Sequence, residues 1–190
     1  MRLPAAERRG QIIEVTTRLI AERGFWGLSM QDVADGCGLT VPGLLHHVGS
    51  KDRLLLAVLD HRDAEDARAL VAELGPFEWP YPLPPGVDLR RLCAALVRRN
   101  AAQPEIVRLF AVLEAESLAP GHPAHAYFVT RQERALAAFT TVAGGSGDRP
   151  SSLARQVMAL MDGLQIQWLR DPEGTDLVAE WEIAAEALFR

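Results

Sequence analysis

Apolar residues recur at helical spacing along most of the chain. In the N-terminal part, Ile12, Leu19 and Ile20 fall on one face of a helix. We expect this helix over about Ala5–Arg23, with Gly24 ending it. The same spacing predicts further helices in the second half, and we therefore expect an all-α fold; the predicted ranges are 88–103, 104–118, 124–142, 151–170 and 176–190.

The segment 28–55 predicts two short helices around a tight turn. Ser29 is expected to cap the first helix, with Asp32 completing a capping box. The run Gly36-Cys37-Gly38 ends that helix where a left-handed residue is needed. We expect the Leu39 side chain to pack in the core between the two helices.

The second short helix has equally clear ends. The Thr40 hydroxyl can cap its backbone N–H groups, and Pro42 sits early enough to cost no internal hydrogen bond. Gly49 closes the helix. The run Ser50-Lys51-Asp52 then opens a fourth helix that extends to about Leu74.

Composition is that of a soluble globular protein with one domain or two small ones. The 190 residues are 48% apolar and 24% charged, with a net charge of −5. Residues 1–53 carry seven basic and six acidic side chains, so the negative charge lies in the rest of the chain. No apolar stretch approaches the length that spans a bilayer, and we expect a cytoplasmic location. Cys37 and Cys93 form no C-x-x-C pair and are interpreted as buried apolar residues.

About 50 residues resemble the helix-turn-helix region of the TetR family of bacterial transcription regulators. The resemblance rests on the preceding helix, the segment LTVPGLLHHVGSKDRLL and the Ser-Lys-Asp start of the fourth helix. It implies a DNA-binding domain over residues 1–50 and a helical ligand-binding and dimerisation domain over 51–190. It also implies a homodimer whose partners are double-stranded operator DNA and a small-molecule effector.

The second motif helix, Thr40–Val48, is the expected recognition helix, with Leu39, Leu44 and Val48 facing inward. It is poor in charge and lacks the tyrosine and phenylalanine typical of the family, so its histidines are either DNA contacts or solvated surface residues. Lys51 is the only lysine and starts the next helix. A positive charge beside the free N–H groups of a helix start is unfavourable unless a phosphate is bound there, so we expect Lys51 to contact a DNA phosphate. The alternative is a solvated lysine. The DNA-binding candidates are Thr40, Val41, Pro42, Gly43, His46, His47 and Lys51.

The resemblance places the effector pocket among the middle helices, although each candidate could equally serve packing alone. One candidate, Trp79, lies in the stretch 75–86, whose five prolines predict an extended segment rather than a helix. We call this segment the strap. A metal site at His122 and His125 is a weaker alternative to a structural role for these histidines. The pocket candidates are Trp79, Phe110, Glu114, Tyr127, Phe128, Arg131, Met161, Gln165 and Trp168.

The last two helices form an apolar hairpin. By resemblance it would pair with that of a second subunit, whereas burial within one chain would produce the same amphipathic pattern. The expected interface residues are Leu153, Val157, Leu160, Leu164, Leu177, Trp181, Ala184 and Leu188.

Catalytic motifs are missing from the sequence: it has no glycine-rich phosphate loop, no G-x-S-x-G, no H-E-x-x-H and no Glu-x-x-His pair. We therefore expect no enzyme activity, no cofactor and no metal. The expected function is that of a repressor released from its operator by a small molecule. The alternative is a TetR-like fold that has lost sequence-specific DNA binding and acts as a small-molecule or protein-binding module.

Overall fold

The computed structural model describes residues 4–75, 87–144 and 149–189. These residues form helices and connecting loops, which confirms the all-α prediction. The predicted strap from residue 76 onward, including Trp79, lies outside the described residues. Within the described ranges the helices are α1 Ala5–Arg23, α2 Met30–Gly36, α3 Val41–Val48, α4 Lys51–Leu74, α5 Leu89–Ala101, α6 Pro104–Glu116, α7 His125–Ala143, α8 Pro150–Arg170 and α9 Leu177–Leu188.

Side-chain caps fix the starts of α5 and α9. The Asp88 carboxylate accepts the backbone N–H of Arg91 at 2.8 Å. Asp176 accepts the N–H groups of Val178 and Ala179 at 3.0 and 3.1 Å. Both helices therefore begin where the sequence offers a carboxylate to the otherwise unpaired N–H groups of a first turn.

Packing divides the chain into two compact units. The first comprises the chain up to Ala64 together with Arg108–Phe128, and the second comprises Glu65–Val107 and the chain from Val129 onward. This division differs from the expected boundary at residue 50. The reason is that the apolar faces of α1, α2 and α3 share their core with residues of α4, α6 and α7, among them Leu54, Leu55, Leu59, Leu109, Leu113 and Phe128.

The second unit has a core of its own, in which α9 packs against α5 and α8. Trp181 of α9 is 0% exposed there, beside buried residues that include Leu92 and Val157. Cys93 is also buried in this core and Cys37 in the first, both as free thiols, in line with the reading of both as small apolar residues.

Adjacent leucines of α3 provide a test of the first core. Leu44 is 0% exposed and Leu45 is 37% exposed. We expect Leu44→Ala to lower the free energy of unfolding by about 2–5 kcal/mol, because it removes buried methyl groups and leaves a cavity. Leu45→Ala, the matched control, should cost less than about 1 kcal/mol. Urea midpoints of the two variants give the comparison, and equal losses would contradict the burial of Leu44.

Candidate nucleic-acid interface

The first motif helix, α2, begins as predicted at Ser29, whose hydroxyl accepts the backbone N–H of Gln31 at 3.1 Å. Asp32 does not complete the expected capping box. Its carboxylate instead accepts Arg23 Nη1 at 2.8 Å and joins α2 to the end of α1. An arginine outcompetes the Ser29 backbone N–H for Asp32 because this hydrogen bond joins two opposite charges.

The turn between α2 and α3 has the predicted shape. Gly38 has φ +63°, a conformation that favours glycine. Leu39 then donates its backbone N–H to the Ala34 carbonyl at 2.8 Å, and its side chain packs on the first core. Thr40 caps α3 by accepting the N–H of Gly43 at 3.2 Å. The cap and the backbone hydrogen bond join near neighbours in the chain, and Arg8 of α1 adds a contact from outside the motif by donating to the Cys37 carbonyl at 2.9 Å.

The outer face of α3 carries Thr40, Pro42, His46 and His47, all exposed as expected. The two imidazole rings meet edge to face, with centroids 5.8 Å apart. Val41 was also expected on this face, but the structure corrects that: it is half-buried and packs against the first core. Gly43 is half-buried as well.

Leu45 extends the outer face in a way the sequence pattern did not reveal. An apolar side chain in an amphipathic helix is expected to point inward, yet Leu45 is among the exposed large apolar residues. The outer face therefore combines the Thr40 hydroxyl and the Pro42 ring at its start with the imidazoles of His46 and His47 and the aliphatic side chain of Leu45. Such a surface can donate to phosphates or base edges and contact a thymine methyl.

Lys51 begins α4, and its ammonium lies over the Phe25 ring, with Nζ 4.5 Å from the ring centroid. The negative face of an aromatic ring attracts a cation at this distance. The residue is half-buried, so the ring holds the ammonium near the start of α4 while leaving part of it accessible. Phe25 was not among the DNA-binding candidates predicted from the sequence.

Phe25 is itself held by α6. Its backbone N–H donates to Glu116 Oε2 at 2.8 Å. The carboxylate also packs directly on Gly24, where an added Cβ would meet Glu116 Oε1 and displace this carboxylate. Gly24 has φ +71°, a backbone conformation that favours glycine. Sequence reasoning missed this contact, because Phe25 and Glu116 are 91 residues apart.

His122 packs against the same junction. Its ring contacts Phe25 and Trp26 edge to face, at centroid distances of 5.1 and 5.5 Å. Nδ1 accepts the Ala124 backbone N–H at 3.2 Å, and Nε2 lies 3.6 Å from Glu116 Oε2. Burial lowers the pKa of His122, opposed by the negative charges of Glu116 and Asp52.

The second histidine of the H-x-x-H pair also has a backbone partner. His125 Nδ1 donates to the Ser117 carbonyl at 2.7 Å. In the part of the chain that the structure describes, no group of three metal-ligating side chains gathers at one place. The local backbone contacts of His122 and His125 favour the structural interpretation over the metal site.

Four of the pocket candidates lie in the first unit. Phe110 and Phe128 meet edge to face at 5.8 Å between centroids. The Tyr127 hydroxyl donates to Asp63 Oδ2 at 2.6 Å, linking α7 to α4. Glu114 is exposed. Three of these four residues thus contribute to packing within the unit.

The other described candidates lie in the second unit. Met161 and Trp168 are buried in its core, and Arg131 is exposed on α7. Gln165 accepts from Asn100 Nδ2 at 2.9 Å and donates to the Met161 carbonyl at 2.9 Å. Their assignment to an effector pocket stays a prediction.

The hairpin of α8 and α9 presents a different outer face from the expected one. Val157, Leu177 and Trp181 are at most 2% exposed within the single chain, so they have no surface to offer a partner, and their expected place in an interface is corrected. They face inward because α9 packs on α5 as well as on α8. The half-buried residues that remain available are Leu153, Leu160, Leu164, Ala184 and Leu188. The exposed apolar residues of the hairpin are Ile166, 42% exposed, and Ile183, 66% exposed.

None of the helices among the described residues is both long enough and apolar enough to cross a membrane.

Residues 12–58 match the sequence family of bacterial regulatory proteins, tetR family. The HTH-type transcriptional activator FasR of Mycolicibacterium smegmatis is 41% identical over 58 residues, or 30% of this chain and 26% of FasR. The HTH-type transcriptional repressor KstR2 of Mycobacterium tuberculosis is 38% identical over 71 residues, or 33% of this chain and 36% of KstR2. The chain thus matches well under two thirds of the length of these relatives.

A solved structure extends the likeness to nearly the whole chain. AibR in complex with isovaleryl coenzyme A and operator DNA superposes with a TM-score of 0.71 and 19% identity, covering 96% of this chain and 98% of AibR. At this identity the likeness is one of fold. The resemblance to the TetR family is confirmed by the match over residues 12–58, which begins within α1, includes α2 and α3, and ends within α4.

The lowered pKa of His122 predicts an acid-dependent loss of stability. The unfolded chain takes up a proton near the ordinary pKa of 6.5, whereas the folded chain does so only at lower pH. Stability from this group is therefore complete above pH 6.5 and declines as the pH falls below it.

Urea midpoints at pH 7.5 and 5.5 measure this decline, with His122→Asn as the non-titrating variant. The asparagine oxygen can still accept the Ala124 N–H, so this variant should lose less stability on acidification than the unaltered protein. His46→Asn, a change at an exposed histidine, is the control and should behave like the unaltered protein. An equal acid response in all three proteins would contradict the role of His122.

Proposed function

We propose that this protein is a homodimeric transcription repressor of the TetR type, which binds near-palindromic operator DNA and is released by a small-molecule effector. The observation that carries the proposal is the helix-turn-helix of α2 and α3, capped at Ser29 and Thr40 and matched by the family over residues 12–58. A function on operator DNA would place the protein in the cytoplasm.

DNA binding would use the outer face of α3 together with the start of α4. In helix-turn-helix proteins the second helix enters the major groove with its N-terminal residues against base edges. Here Thr40 and Pro42 occupy that end, and His46 and His47 lie one turn later, where they would meet phosphates or bases. Lys51 would add a phosphate contact beside the N-terminus of α4.

Dimerisation would use the exposed face of the α8–α9 hairpin. Ile166 and Ile183 are large apolar side chains that the single chain leaves in water. A two-fold pairing of this face would bury them and would set the separation of the two recognition helices. Successive major grooves on one face of DNA are about 34–36 Å apart, so that separation decides operator affinity.

Release by an effector requires that the effector bind one arrangement of the dimer better than the other. The complex of AibR with isovaleryl coenzyme A and operator DNA supports a small-molecule site in a protein of this fold. In this chain the pocket candidates of α6, α7 and α8 are the residues to test first, beginning with Phe110, Phe128 and Gln165.

One observation favours the alternative of a module without sequence-specific DNA binding. The recognition helix α3 contains neither lysine nor arginine, and Val41 turns partly into the core. Footprinting on the DNA upstream of the protein's own gene separates the two functions. A protected near-palindrome whose binding weakens with salt supports the repressor, and uniform weak binding to all DNA supports the module.

The Lys51→Ala variant tests the phosphate contact. We expect weaker operator binding with little dependence on sequence, and a slope of log affinity against log salt that is smaller by about one for each half-site. Arg134→Ala, which removes an exposed positive charge from α7, is the control and should leave the slope unchanged. An unchanged slope in Lys51→Ala would refute the phosphate contact.

The Ile183→Asp variant tests the dimer face. Ile183 is exposed in the single chain, so the substitution should not disturb the fold, but pairing would bury an uncompensated carboxylate. We expect the dimer dissociation constant to rise by about 100-fold or more, since burying an unpaired charge costs several kcal/mol. Val129→Asp, at another exposed apolar position, is the control. Light scattering that finds Ile183→Asp still dimeric would exclude this face.

A further inference from the structure

We propose that Glu116 is a positioning residue for DNA binding, which acts through Phe25 to hold Lys51 at the start of α4. The proposal rests on the proposed function, because Lys51 matters here as a phosphate contact. It assigns to the last residue of α6 a role in the helix-turn-helix, although the two are far apart in sequence.

The first step is the contact between Glu116 and the segment after α1. Glu116 Oε2 accepts the Phe25 N–H at 2.8 Å, and the whole carboxylate approaches Gly24 closely because that residue has no side chain. A hydrogen bond from an N–H to a carboxylate is stronger than one between neutral groups. The backbone at residues 24 and 25 is thereby tied to the end of α6.

The second step is the contact between Phe25 and Lys51. The Phe25 ring is 1% exposed, with Trp26 and His122 against it edge to face. Its backbone N–H is bound by Glu116, and these two rings pack against its side chain. The Lys51 ammonium lies over the same ring, 4.5 Å from the centroid. A lysine that is held in place loses less side-chain entropy when it binds a phosphate.

The third step is the course of α6. The helix begins at Pro104 in the second unit and continues into the first, where it ends at Glu116. Glu116 is thus the end of a helix with residues in both units, and a movement of this end away from Phe25 would lengthen and weaken the Glu116–Phe25 hydrogen bond.

The lysine signal provides a test that does not require DNA. Because Lys51 is the only lysine, ¹³Cε-lysine labelling of the full chain gives one lysine NMR signal. We expect its protons to be shifted upfield by the ring current of Phe25. Glu116→Ala should move this signal to the position of a free lysine. Glu116→Asp should do the same, because its shorter side chain withdraws from the Phe25 N–H.

Two further variants separate positioning from a general effect of charge. Glu116→Gln keeps an oxygen that can accept the Phe25 N–H, and it should retain the upfield signal. Glu22→Gln removes an exposed carboxylate at the end of α1, two residues before Gly24, and should leave the signal unchanged. A signal that stays upfield in folded Glu116→Ala and Glu116→Asp would overturn the proposal.

Operator binding then tests whether the position of Lys51 matters for function. We expect Glu116→Ala to weaken binding by about tenfold, within the range for losing a hydrogen bond to a charged group, and Glu116→Gln by about twofold or less. In the Lys51→Ala background the same Glu116→Ala change should have almost no further effect, since interacting residues are not additive.

Two outcomes distinguish the failure of this inference from that of the proposed function. If the losses of operator affinity in Glu116→Ala and Lys51→Ala multiply in the double variant, Glu116 does not act through Lys51. This outcome would overturn the inference and leave the proposed function intact. Absence of operator binding by the unaltered protein, with its lysine signal upfield, would refute the repressor function and the role in DNA binding together.

Discussion

The structure depends on the fact that the two short helices α2 and α3 cannot bury their apolar faces with α1 alone. α2 and α3 have only seven and eight residues, and the core they share with α1 is closed by Leu54 and Leu59 of α4 and by Leu113 of α6. Small helical units expose too much apolar surface to be stable alone. The helix-turn-helix therefore forms one compact unit with parts of α4, α6 and α7.

This shared core gives the helix-turn-helix two kinds of support. Local contacts, such as the Thr40 cap and the Leu39 hydrogen bond, set the angle between α2 and α3. Long-range contacts, chiefly that of Glu116 with Phe25, set the position of the end of α1. The Glu116 contact is made by α6, a helix with residues in both compact units.

Most features decided by neighbours in the chain were predicted from the sequence. α1 was predicted with both ends correct, and so were the caps at Ser29 and Thr40, because a cap needs only the few residues beside it. The capping box at Asp32 was wrong, because its carboxylate binds Arg23 instead. The face that a helix turns inward was harder to predict. Trp181 and Ile183 both lie on an apolar helix, and only the packing of α9 against α5 decides that the first is buried and the second exposed.

Gly24 has a consequence for engineering. Its missing side chain is the space that the Glu116 carboxylate fills, so positions 24 and 116 form a matched pair across the sequence. A chimera that grafts the first 50 residues onto another protein would separate this pair, and a residue other than glycine at position 24 would be strained by its positive φ and would displace the Glu116 carboxylate. The transplantable unit is the helix-turn-helix together with the end of α6, and a designer of hybrid sensors would need to move both.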